Sequence, residues 1–431
     1  MDNVTHALAG ALFAAATVAL VGRRSRNALG AASLDESPAS SHSVSARFRA
    51  TAFVVGVVTA ELPDADLLYA GQALGMGNLG YLLHHRGHTH TVVFALAAAL
   101  VVWGVTLLFR KDLRVSPWKW PLLGLAVVGT LSHLLLDYTN SYGVHPFWPI
   151  NNRWFYGDAV FIIEPWLWVA ALPPLILLAV RRWTKVVTGF LLGAILAAVW
   201  AVGMVGRDVA IAVTVGTALW IVAARAMRED QRALYGIGAW VAIELMFFVA
   251  SGAALREVRR ATSAATFRDA VLNPAVGNPL CFSALVVELD GGTYRTSNAT
   301  VAPFPALRGI ANCANRGIGA RGVEAPDGAG PAGDARTGTS TVAWYGVWER
   351  PHTELLQLAR SQCELRASMR FFRVPEWERT TGDSIRMFDG RFGTNSFATI
   401  TTAPEASTCP RHVPGWVPPR LDILGDAALR P

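Results

Sequence analysis

Residues 91–109 read TVVFALAAALVVWGVTLLF, an apolar run without one charged side chain. A helix packed on a soluble core needs only an apolar stripe, whereas one that crosses a bilayer needs about 20 predominantly apolar residues. This run is apolar on every face, so it reads as a membrane span. Similar stretches recur on both sides of it. Spans are expected at 4–21, 50–66, 91–109, 118–139, 159–180, 186–206, 209–224 and 233–254, about eight transmembrane helices. Composition agrees: 52% of the 431 residues are hydrophobic and only 16% are charged, against about 25% charged in an ordinary soluble domain. A disordered chain or a coiled coil would be far more polar, so both are excluded. The first span has no basic stretch before it and no small-residue cleavage site leading into a soluble chain, which separates it from a signal peptide.

The formal net charge of +7 would suit a nucleic-acid binder if the basic residues shared one face with interleaved aromatics. They are instead dealt out to alternate loops. Arg23, Arg24, Arg26, Arg47 and Arg49 lie at 22–49, Arg110, Lys111, Arg114 and Lys119 at 110–119, Arg181, Arg182 and Lys185 at 181–185, and Arg225, Arg228 and Arg232 at 225–232. The intervening loops hold only Arg86, Arg153 and Arg207. Basic loops stay in the cytoplasm. With an even number of spans, the N-terminus and everything after residue 255 then lie outside a multi-pass inner or plasma membrane. The basic cluster Arg256, Arg259 and Arg260 runs against this orientation. Membrane lipids are the expected neighbours, and no nucleic acid is expected.

The chain divides into a transmembrane helical region, 1–255, and a β-rich extracytoplasmic domain, 256–431. In the latter, Phe282–Leu289, Asp290-Gly291-Gly292 and Thr293–Thr296 read as a β-hairpin. Val342–Trp348, Ser368–Val374 and Phe397–Thr402 read as further strands, and the Gly, Ala and Pro of 315–340 as a flexible loop. All four cysteines, Cys281, Cys313, Cys363 and Cys409, fall here. An even set confined to an exported domain suggests two disulfides, with three pairings open.

Eight of the ten histidines lie within the first 150 residues. Four polar motifs occur in order: Thr5-His6 at the start of span 1, Pro63-Asp64-Ala65-Asp66 at the end of span 2, His84-His85-Arg86-Gly87-His88-Thr89-His90 before span 3, and His133 with Asp137 at the end of span 4. Alternation of the spans carries all four to one membrane face. Ionisable groups at a bilayer edge are costly and functional by default, and a shared metal would compensate them. The four-residue spacing of His133 and Asp137 puts both on one helix face. Asp64 and Asp66 repel unless a cation or proton sits between them. Imidazole with carboxylate suits Zn, with Mn or Fe as alternatives, and the number of ligands allows one or two ions. The expected metal ligands are His6, Asp64, Asp66, His85, His90, His133 and Asp137. His84 and His88 are expected to orient ligands or move protons. Arg86 would pair with a substrate phosphate through its planar fork, or with Asp64 or Asp137. Glu61 and Glu164 are candidate bases that equally suit hydrogen-bonding roles, and Asp2 reads as a helix N-cap. The aromatics of loop 140–158, which also carries His145 and Asp158, fit an interfacial belt. Glu244, alone in span 8, is expected to hydrogen-bond a neighbouring helix.

Thr5-His6 with Gly10, Pro63-Asp64-x-Asp66, His85-Arg86-Gly87-x-Thr89-His90 and His133-x-x-x-Asp137 together resemble the YdjM/DUF457 family of inner-membrane, metal-dependent hydrolases. The resemblance covers roughly residues 1–170, including the run from Phe161 to Trp166. It departs from the family pattern at Thr91, where Ser is usual, and at Glu164, where Asp is more common. It implies a membrane-bound hydrolase. Three function classes follow: a metal-dependent hydrolase of an ester or phosphoester, including a lipid-linked one, at the outer interface; a metal or proton transporter using the same ligands; and a scaffold in which a metal only ties helices together. A transporter would place its site at the bilayer midplane between inverted repeats, and no repeat is visible.

Overall fold

The computed structural model describes residues 1–32, 46–71, 75–313, 338–402 and 409–425. The Gly-rich loop expected at 315–340 lies almost wholly outside the described residues, as does His42. Chain contacts gather into two compact units, and these do not follow the chain in order. The first comprises Met1–Pro63, Val92–Asp137 and Ile162–Leu245; the second comprises Asp64–Thr91, Tyr138–Phe161 and Met246–Pro431.

The first unit is helical. Among the described residues, six helical stretches, counting the end of the last helix that runs on into the second unit, are long and apolar enough to cross a membrane: Asn3–Arg24, Val92–Phe109, Lys119–Tyr138, Arg182–Ala201, Arg207–Ala226 and Glu229–Arg260. The spans expected at 50–66 and 159–180 are instead helices Ala46–Glu61 and Pro165–Leu178, of 16 and 14 residues. Both fall short of the usual crossing length. The cause is local chemistry that an apolar run conceals. Leu62-Pro63 turns the first into a 3-10 segment, Leu62–Asp66. Glu164 caps the second, its Oε1 accepting the Trp166 N–H at 3.2 Å, with Pro165 at the first helical position. Asp2 is the expected N-cap of the first helix and accepts the Thr5 N–H at 3.0 Å. Among the described residues Glu244 is bonded within its own helix and not to a neighbouring one as expected; its Oε1 accepts the indole N–H of Trp240, one turn earlier, at 2.9 Å.

Small residues bring three of these helices together. A Cβ on Gly10 would fall inside the carbonyl oxygen of Gly56, and one on Gly56 inside that of Gly10. A Cβ on Gly129 would strike the Thr59 side chain. Gly10 lies one turn after His6, and Gly129 one turn before His133, so each shares a face with its histidine. Backbone contact through helix Ala46–Glu61 therefore draws the two histidine-bearing helices together.

The second unit has two antiparallel sheets. The larger runs β1 Phe267–Ala275, β2 Asn278–Asp290, β3 Thr293–Val301 and β4 Val342–Pro351, in that spatial order. The smaller runs β5 Pro375–Arg379, β6 Ile385–Asp389 and β7 Thr399–Thr402. The expected hairpin is β2–β3, with Asp290 opposite Thr293 and both Gly291 and Gly292 at positive φ. The strand expected at Ser368–Val374 is absent: Cys363–Ser368 is a helix and a turn follows. Phe371, Phe372 and Val374 are buried from that turn without the alternation a half-buried strand requires. The disulfides are Cys281–Cys313 and Cys363–Cys409. Most aromatics of loop 140–158 do not form the expected interfacial belt, although Phe147 is exposed. Trp154 is buried, and Tyr142, Trp148 and Tyr156 pack with it in one core that also holds Leu82, Leu83, Tyr294, Trp377 and Trp416.

Two outcomes follow from this packing. Gly10→Val forces the Gly10–Gly56 crossing apart and is expected to cost about 1–3 kcal/mol, the usual range for overpacking. Thermal unfolding in detergent should show a lower midpoint, whereas Gly124→Ala, which faces open space, should leave it unchanged. In the second unit, burial pushes the Glu376 carboxyl up to about 7, against a hydrogen bond from Thr296 and with the Asp389 charge adding to the rise. The fold therefore favours the protonated form. Its contribution is full below the ordinary value of 4.5 and is lost as pH rises towards about 7. Glu376→Gln should flatten that part of the profile of unfolding temperature against pH.

Candidate metal centre

In the helical unit, the crossing through helix Ala46–Glu61 leaves His6 stacked on His133, with ring centroids 3.8 Å apart and planes 15° from parallel. Both are fully buried. His133 Nδ1 lies 2.6 Å from the carbonyl oxygen of Ala60. A carbonyl only accepts, so Nδ1 donates to it and Nε2 is the nitrogen turned elsewhere. That Nε2 faces Asp137 Oδ2 at 3.6 Å, one turn along the same helix, and His6 Nε2 faces Asp137 Oδ1 at 3.6 Å. Neither ring nitrogen of His6 has a hydrogen-bond partner among the described residues. The amino group of Met1 also rests on Asp137. Glu61, at the end of helix Ala46–Glu61, accepts a hydrogen bond from Asn3 at 3.0 Å.

In the second unit the organising group is Asp66, at 0% exposure. It accepts from His85 Nδ1 at 2.9 Å, the Arg86 backbone N–H at 3.0 Å and the Thr89 hydroxyl at 2.7 Å, with His90 Nδ1 at 3.4 Å. Burial alone would raise its pKa. The hydrogen bonds from His85 and His90 more than offset this and hold the carboxyl well below its usual range. Arg86 sits at φ 60, in the left-handed region, so its amide can turn onto Asp66. His85 and His90 both show Nδ1 to Asp66, which leaves each Nε2 for another partner. His90 Nε2 lies 3.3 Å from Asp64 Oδ1. Ligand atoms of Asp64, Asp66 and His85 all lie within 4.8 Å of one another.

This arrangement fits a metal. A metal-bound imidazole normally donates its second nitrogen to a carboxylate or carbonyl, which sets tautomer and aim. His133, His85 and His90 are so placed, and His6 is a buried imidazole whose nitrogens are both available. The buried Asp/His cluster could hold a divalent ion. Asp66 spends most of its acceptor capacity on the loop.

The remaining expected residues have other side-chain partners. His84 is half-buried, its Nε2 on the carbonyl of His412 at 3.2 Å. His88 is exposed, between the rings of Trp148 and Trp416. Arg86 is not an open fork. Its side chain is buried, with Nη1 donating to Asn140 Oδ1 and the Gly143 carbonyl and the guanidinium 4.9 Å from the Tyr142 ring. Asp158 pairs with Arg373 at 2.8 Å. His145 is fully buried against Trp154 and Trp416, and burial pushes its pKa down to about 3. Sequence reasoning missed Asn140, Gly143 and Ala60, which act through an amide and backbone carbonyls and leave no motif.

A family model described as "YdjM inner membrane protein" matches residues 1–209. The chain is 31% identical over 153 residues to the inner membrane protein YbcI of Escherichia coli (strain K12), a match covering 82% of that protein and 30% of this chain. It is 22% identical over 136 residues to the uncharacterized protein YfhP of Bacillus subtilis (strain 168), covering 36% of that protein and 31% of this chain. No solved structure matches. The family match spans every candidate ligand.

If Asp66 organises the loop, Asp66→Ala strands several buried donors at about 1–3 kcal/mol for each one left unsatisfied. Asp64→Ala leaves those bonds in place. The unfolding midpoint in detergent should therefore fall clearly further for Asp66→Ala than for Asp64→Ala.

Proposed function

The chain belongs to the YdjM family of inner membrane proteins, and from that premise we propose that this multi-pass protein is a metal-dependent hydrolase of an ester or phosphoester. The substrate is a lipid or lipid-linked molecule reached at the extracytoplasmic interface, because the basic loops assign the opposite face to the cytoplasm. The observation that carries the reading is the shared aim of the histidines: His133, His85 and His90 each have Nδ1 on a carbonyl or carboxylate, and His133 and His90 turn Nε2 towards Asp137 and Asp64.

The ligands are His6, His133 and Asp137 from the helices, and Asp64, His85 and His90 from the second unit, with Asp66 orienting the last two. In each of these two sets the imidazoles and carboxylates suit a divalent ion, Zn before Mn or Fe. A bound ion supplies Lewis acidity toward the ester or phosphoryl oxygen and lowers the pKa of its water to about 7. His88 is exposed on the loop and moves protons to and from bulk water. His84 donates through Nε2 to His412, which leaves Nδ1 as an acceptor for the same purpose. Glu61 is the acidic reserve beside the helical ligands. Arg86 braces the loop.

Elemental analysis of the purified protein is expected to find stoichiometric divalent metal. His133→Ala combined with Asp137→Ala should lose it while the chain remains folded. Hydrolysis of a panel of esters and phosphoesters should stop on chelation and return with metal. Full metal content in the double variant would refute the ligand assignment, and a metal-free wild type would refute the reading.

A further inference from the structure

Arg391 lies far beyond residue 209, where the family match ends, yet its guanidinium is wholly buried and aimed at the histidine loop's support. It forms a two-point pair with Asp389, at 2.7 and 3.0 Å, both side chains at 0% exposure. The donors left over are spent on backbone. Nη1 donates to the carbonyls of Ser141 and Tyr142 at 2.6 and 3.1 Å, and Nη2 to that of Phe371 at 3.0 Å. A buried arginine held by a carboxylate and directed at neutral carbonyls is a rigid clamp, because its planar fork has no freedom left.

What it clamps is the segment that holds Arg86. The Tyr142 N–H donates to Asn140 Oδ1 at 2.8 Å, and the same oxygen accepts from Arg86 Nη1 at 3.4 Å. The next carbonyl, Gly143, accepts from Arg86 at 3.3 Å, and the Tyr142 ring lies against the guanidinium. Gly143 is at φ +84 with the Tyr156 ring where a Cβ would be, so this carbonyl has one direction. Arg86 in turn passes its backbone N–H to Asp66, which aims His85 and His90. Every member of this series belongs to the second unit.

We propose that Arg391 is a positioning residue for the candidate metal centre, acting through Tyr142, Asn140 and Arg86 on Asp66. The C-terminal domain is thereby a working part of the site. This inference rests on the metal-centre reading, and the experiment separates the two. The full chain in detergent is titrated with Co²⁺, whose visible bands report its ligands, for wild type, Arg391→Gln, Tyr142→Leu and the control Arg386→Gln. Arg386 pairs with Glu378 away from this series. Hydrogen exchange of peptides spanning 84–91 is measured on the same samples without metal.

Loss of an outer partner of a metal ligand typically costs about 10–100-fold in metal affinity. Arg391→Gln and Tyr142→Leu should show a loss in that range, altered bands and faster exchange at 84–91, while Arg386→Gln matches wild type. Arg391→Lys keeps the charge on Asp389 and should recover only part of the affinity. Should Arg391→Gln prove unfolded, Tyr142→Leu decides alone. Wild-type affinity and exchange in either variant overturn the proposal. If wild type binds no Co²⁺, the metal reading fails, and exchange at 84–91 still decides whether Arg391 positions the loop.

Discussion

A carboxylate taken out of water must be hydrogen-bonded or paired, and Asp66, at 0% exposure, meets that demand with donors from a single loop. His85, the Arg86 amide and Thr89 all turn to it. The need to satisfy one buried anion therefore fixes a left-handed backbone at Arg86 and the tautomers of two histidines at once. Polar satisfaction and ligand presentation are the same set of bonds. That is why this loop has definite geometry although its only regular structure is the short 3-10 turn His88–His90.

The helical unit solves a related problem differently. His6 and His133 are buried among apolar helices, where an unsatisfied imidazole is expensive. Glycine contacts at Gly10, Gly56 and Gly129 allow backbones to approach closely enough for the rings to stack and for Ala60 to offer its carbonyl. Such contacts act through dispersion and backbone polarity, since lipid removes the hydrophobic drive between helices.

Much of this was legible in the amino-acid sequence. The residue types and spacings at His6, Asp64, Asp66, the 84–90 run and His133 with Asp137 point to imidazole–carboxylate chemistry, and the structure draws them into groups with suitable distances within each unit. The hairpin at Asp290–Thr293 was visible because glycine readily takes its two positive-φ positions. Two expected spans proved short because an apolar window does not register Pro63 or the Glu164 cap. The segment Ser368–Val374 was misread because continuous burial in a turn resembles a strand in composition. Arg86 was open to a substrate phosphate or to Asp64 or Asp137, since nothing near it in sequence foretells Asn140 and Gly143.

The amino-acid sequence by itself determined the membrane character, the candidate ligands and the presence of a cysteine-bearing β-rich domain. These depend on side-chain chemistry and on periodicity over a few residues, which local sequence carries. Only the tertiary structure decided the cysteine pairing, which imidazole nitrogen each histidine presents and that Arg391 meets the carbonyls of Ser141 and Tyr142. Those outcomes depend on contacts between residues up to 250 positions apart. Most are made by backbone carbonyls and amides, which every residue possesses and no motif can mark.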